Sequence, residues 1–100
     1  MKMDLHQFRR LLHADQPPQR TSSHLLVLWY AGKQDWGQAH DIVQNLEDKA
    51  GSWIHAYLHR WEGDEWNAGY WYRMAGKPYP SLTLDQEWEE LVIELLNVEA

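Results

Sequence analysis

The chain has no cysteine among its 100 residues. That excludes a disulfide framework, a thiolate metal site and a cysteine nucleophile, and it fits a reducing compartment such as the cytoplasm. Basic residues are scarce: nine Lys/Arg stand against 15 Asp/Glu, for a formal net charge of −6. The deficit is local, because residues 1–50 hold six of each kind, whereas residues 81–100 hold six acids and no base. Without a basic stripe to neutralise phosphates, nucleic acid is not an expected partner. No apolar run approaches the roughly 18 residues of a membrane span, so no membrane partner is expected either. Met1 to Arg10 alternate charged and apolar groups and lack the apolar core of a secretory signal, so export is not expected. There is no Gly-rich phosphate loop, no Gly-x-Ser-x-Gly elbow and no Cys/His cluster. No stretch keeps the period-two alternation of a half-buried strand.

Helical punctuation and aromatic residues are what the chain does have. One hundred residues suit a single domain with one core, and the pattern predicts an all-α fold of six short helices. Asp4 caps a first helix with Leu5, Phe8, Leu11 and Leu12 on one face, within residues 1–14. Residues 15–22 read as a linker, since Pro17-Pro18 forbids helix. Ser22 or Ser23 starts a second helix, apolar on nearly all sides and therefore internal, that ends near Gly32. Asp35 and Gln38 form a capping-box pattern for a third helix to about Asp48, with Ala39, Ile42, Val43 and Leu46 inward and Gly51 closing it. Ser52 is the expected cap of the fourth helix. Gly63-Asp64 ends it and caps the fifth, which stops at Gly76, Pro78 and Pro80. Thr83 and Gln86 start an acidic last helix in residues 81–100, with Trp88, Leu91, Val92 and Leu95 on the apolar stripe and Glu87, Glu90 and Glu94 on the wet one.

The stretch 52–80 concentrates the aromatics, with four of the seven tryptophans and four of the five tyrosines. Shifting the chain by 29 residues aligns Asp35 with Asp64, Ala39 with Ala68 and Val43 with Tyr72. Such an offset implies two stacked helix pairs sharing one core. Ala56, the Gly63-Asp64 turn, and Ala68, Tyr72, Ala75 and Pro80 then resemble a tetratricopeptide-type hairpin, whose repeat is about 34 residues. The run HAYLHRWEGDEWNAGYWYRMAGKP, from His55 to Pro78, is also similar to a family of small uncharacterised bacterial and fungal proteins, a likeness that names no activity. The resemblance implies two antiparallel hairpins over 23–80, flanked by the terminal helices. It also implies a concave face, lined by the first helix of each pair, exposing Trp53, Tyr57, Arg60 and Trp61 together with Leu25 and Leu28.

Two functional readings follow. In the first, the protein is a small interaction module. Aromatic and arginine side chains anchor interfaces because they bury much area and keep a polar tip, so the Trp53, Tyr57, Arg60 and Trp61 face would take a peptide or partner helix. A homodimer is one such assembly. The competing reading of each aromatic is core filling, although seven tryptophans exceed what a core this size requires, so one or two belong at a surface. In the second reading, His55, His59 and Glu62 share one helix face at 100° per residue, a spacing able to hold a divalent metal ion if both imidazoles are neutral. That points to a metal-dependent or small-molecule-processing enzyme, with Arg60 or Arg73 steering an anionic substrate. The competing reading makes the histidines interior groups hydrogen-bonded to Asn67, Tyr70 or a carboxylate, and the arginines partners of Glu62, Asp64 or Glu65. His40-Asp41 of the third helix adds at most one further ligand, because adjacent helical residues point about 100° apart.

Overall fold

Every helix begins at a short oxygen-bearing side chain. In the computed structural model, which describes residues 3–99, Asp4, Ser22, Asp35, Asp48, Asp64 and Thr83 each accept a hydrogen bond from the backbone amide three residues on. This satisfies one of the orphan donors that open a helix. The six helices are α1 (Leu5–Leu11), α2 (Ser23–Gly32), α3 (Trp36–Val43), α4 (Lys49–Trp61), α5 (Glu65–Ala75) and α6 (Leu84–Val98). At α1 and α6 the bond is reciprocated by Gln7 and Gln86, completing capping boxes. Gly76 ends α5 in the left-handed conformation, φ 72°, which glycine adopts without Cβ strain. No strand occurs and no helix is long and apolar enough to cross a membrane, among the described residues.

One boundary departs from expectation. Helix α3 stops at Val43, and α4 is capped by Asp48, not Ser52, so Ser52 and Gly51 lie inside α4. The reason is steric as well as polar. Asp48 accepts from Gly51 N at 2.8 Å, and a Cβ on Gly51 would stand 2.6 Å from the Leu46 carbonyl oxygen. Glycine is therefore needed for the first turn of α4 to pass the preceding loop, and it does not close α3.

Three-residue links at 33–35 and 62–64 turn the chain back on itself, so α2 packs with α3 and α4 with α5. The second pair stacks on the first through α3 and α4. Ala39, Ala56 and Ala68 are fully buried, and their small side chains allow close helix approach. The core is built from Val27 and Leu28 of α2, Ile54 and Leu58 of α4, and Leu91 and Val92 of α6. Helix α6 lies across α2 and α4 and also meets α1. The face lined by the first helix of each pair is thus occupied by the chain's own last helix. Trp88 of α6 anchors it there, donating its indole N–H to the Leu28 carbonyl at 2.9 Å. Leu25, Leu28, Trp53 and Tyr57, expected on an open concave face, are buried.

Candidate metal centre

Where α3 meets α4, three imidazoles converge. His55 and His59 are one turn apart on α4, their rings stacked at 4.9 Å between centroids and 17° between planes. His40 comes from α3 and stands edge-on to both, at 5.0 Å and 5.4 Å. Its Nε2 is 3.2 Å from His55 Nε2, and one ligand nitrogen from each of the three lies within 4.8 Å of the others. Asp41, the neighbour of His40, points elsewhere and is exposed.

Two tryptophans hold the cluster. Trp36, one turn before His40, stacks on its ring at 4.6 Å and is itself fixed by donating to the Leu58 carbonyl at 2.7 Å. Trp71 of α5 stacks on His55 at 4.0 Å. His55 and His59 are buried and His40 half-buried. Burial, reinforced by the neighbouring His59 and His40, pushes His55 down to about 4. Burial also lowers His40, with His59 adding to the effect. Both rings are therefore neutral near pH 7, and across the 3.2 Å contact one Nε2–H donates to the lone pair of the other Nε2.

Glu62 holds the third ring. Its carboxylate is 2.7 Å from His59 Nδ1, so Nδ1 carries the proton and Nε2 remains as the ligand atom. A carboxylate behind a histidine is the usual way of orienting a metal ligand. His59, Glu62 and Asp64 also approach one another within 4.8 Å. Asp64, however, is committed as the cap of α5, accepting from Asn67 N at 3.2 Å and Asn67 Nδ2 at 2.6 Å. Glu62 thus belongs behind His59 rather than in a second set of ligands.

The opposite face of α4 carries a different arrangement. The Glu87 carboxylate of α6 is 1% exposed, although its row of neighbouring acids predicted a wet position. It accepts from Trp53 Nε1 at 3.1 Å, Arg60 at 2.8 Å and the Tyr72 hydroxyl at 2.6 Å, and Arg60 also donates to the Leu82 carbonyl. Trp53 and Tyr57 are consequently buried and Arg60 half-buried under α6, not an open face, and Arg60 pairs with Glu87 rather than Glu62, Asp64 or Glu65. Trp61 is half-buried beside Tyr57, their rings 6.3 Å apart. Arg73 is exposed on α5.

The structure therefore brings His55 and His59 together, adds His40 and puts Glu62 behind them. Reading the sequence missed the plates Trp36 and Trp71 and the burial of Glu87. Two spacings carried those signals: Trp36 precedes His40 by one turn, and Glu87 stands one turn before Leu91 on the apolar stripe of α6. Among known proteins, no family model, no curated sequence and no solved structure matches this chain.

Proposed function

We propose that the protein binds a divalent transition-metal ion through the imidazoles of His40, His55 and His59. The observation that carries this reading is the convergence of three imidazoles from two packed helices, with two Nε2 atoms 3.2 Å apart. Two nitrogens bound at about 2.0–2.1 Å to one tetrahedral ion stand roughly 3.3–3.4 Å from each other. The hydrogen-bonded pair stands near that separation, and the donor ring becomes a ligand by carrying its proton on Nδ1 instead of Nε2. An all-imidazole set suits zinc, copper, nickel or cobalt and disfavours magnesium and calcium, which take oxygen ligands. Three protein ligands leave one tetrahedral position for water or a small anion, the pattern of reactive rather than closed structural zinc sites. The junction between the two helix pairs serves as the frame, with His40 coming from α3 on one side and His55 and His59 from α4 on the other.

Untagged protein, stripped with a chelator, is expected to take up one equivalent of Zn²⁺ or Co²⁺ near neutral pH, Co²⁺ developing visible absorption. At a free ion concentration of a hundred Kd, stabilisation is about 2.7 kcal/mol, or roughly 10 °C or more in melting temperature for a domain of this size. His55→Gln and His40→Gln, checked for helicity by circular dichroism, should each lose the uptake. Absence of uptake, or uptake that survives both substitutions, would sink the reading.

A further inference from the structure

Gly69 sits in the middle of α5, where glycine costs about 1 kcal/mol relative to alanine. Nothing within the fold explains it. A Cβ built at Gly51 would meet backbone at 2.6 Å, and one at Gly32 would meet Leu12 at 2.7 Å; at Gly69 it would meet only the guanidinium tip of Arg73, at 3.5 Å. The position is half-buried, and the guanidinium tip of Arg73 lies over it.

The surroundings of Gly69 are unusual for a wet helix face. At 100° per residue, Glu65, Trp66, Gly69, Tyr70, Arg73 and Met74 fall within one half of the helix. Trp66 is 77% exposed and Met74 53% exposed, and Tyr70 is exposed as well. An indole so open to water, next to bare backbone, leaves apolar area uncovered. Glu65 stands at the N-terminal end of the face and Arg73 near the C-terminal end. Among the described residues neither takes part in an ion pair.

We propose that this face of α5 pairs with the same face of a second copy of the chain, the two helices crossing antiparallel at Gly69. Residues 65 and 73 each lie four positions from Gly69. A two-fold axis at Gly69 therefore sets Glu65 opposite Arg73 of the second copy, and the contact occurs twice, as in any isologous interface. A parallel pairing would oppose Glu65 to Glu65 and Arg73 to Arg73, so the charges select the antiparallel one. The missing Cβ lets the two backbones approach, and Trp66 then packs on the aliphatic stem of Arg73 of the second copy and beside its Met74, covering the open indole. One helix face lies at the low end of specific interfaces, below roughly 1,200 Å², so the dissociation constant belongs in the micromolar range.

Sedimentation equilibrium of the full chain, from low micromolar to near millimolar, tests this. The expected result is a reversible monomer–dimer equilibrium that weakens with added salt. Glu65→Arg and Arg73→Glu each weaken it at least about fivefold, by turning two attractive contacts into repulsive ones, while the double variant carrying both reversals restores it. Gly69→Leu, at a half-buried position where an added Cβ meets only the flexible tip of Arg73, blocks the crossing, with the fold checked by circular dichroism. A protein that stays monomeric throughout overturns the proposal. So does a dimer indifferent to the single reversals, to Gly69→Leu or to the restoring pair.

Discussion

The Glu87 carboxylate is tied to α4 and α5 by an indole, a guanidinium and a phenol. An unpaired charge so deep would cost several kcal/mol, and three donors on a prearranged site offset that cost. Burial, followed by the hydrogen bond to Glu87, raises the Tyr72 hydroxyl above its ordinary value, so it stays protonated and keeps donating. Removing one member strands the others. Arg60→Ala leaves a buried carboxylate without its cation, and Glu87→Ala leaves a guanidinium without its anion; each is expected to lower the unfolding free energy by about 3–5 kcal/mol. Urea denaturation measures this directly, and a loss under about 1 kcal/mol for both would show that the trio is incidental to stability.

Two glycines lie inside helices, Gly51 in the first turn of α4 and Gly69 in the middle of α5, and they differ in their surroundings. Both sit where alanine has the better helix propensity. At Gly51 the added methyl collides with the Leu46 backbone, so Gly51→Ala should destabilise by about 1–3 kcal/mol, the range of overpacked sites. At Gly69 the methyl makes only an ordinary contact with the Arg73 guanidinium tip, at 3.5 Å, so Gly69→Ala should stabilise the dilute monomer by about 0.5–1 kcal/mol. Opposite shifts in melting temperature are the expected result, and shifts of the same sign would contradict these assignments. Helix starts depend on the same kind of local detail. A capping oxygen acts within one turn, which is why Asp4, Ser22, Asp35, Asp64 and Thr83 were legible as starts. Asp48 was not, because Ser52 offers an equally good cap and only the packing of the Leu46 loop against Gly51 separates them.

Over the whole molecule, of extents 37 × 25 × 24 Å, stability depends on groups that are neutral inside and titratable outside. His55, held near 4 by burial, and His40, also lowered, bind fewer protons in the folded than in the unfolded chain once the pH drops below about 6.5. Unfolding therefore takes up protons between roughly 4 and 6.5. The stability present at neutral pH is lost as pH falls through that window. Thermal melts of metal-free protein across it should show a falling midpoint, and His55→Gln should flatten the slope. A wild-type midpoint that rises on acidification would mean that the histidine pocket admits the charged form.

Six helices, most of their starts and the pairing on either side of the turns at 33–35 and 62–64 were determined by the sequence itself, because caps, turn residues and the 3.6 period act within a few positions. The shared face of His55 and His59 was equally local, being one turn of a single helix. Which surface stays open was decided only by tertiary structure. The concave face was filled by α6 because Trp88, Leu91 and Val92 bury against α2 and α4 across more than thirty residues of chain. That placement buried Trp53 and Tyr57, half-buried Arg60 and drew Glu87 in among them. The third imidazole was decided in the same way. His40 is fifteen residues from His55, and no periodicity within either helix reports the packing of α3 on α4 that brings their nitrogens into contact.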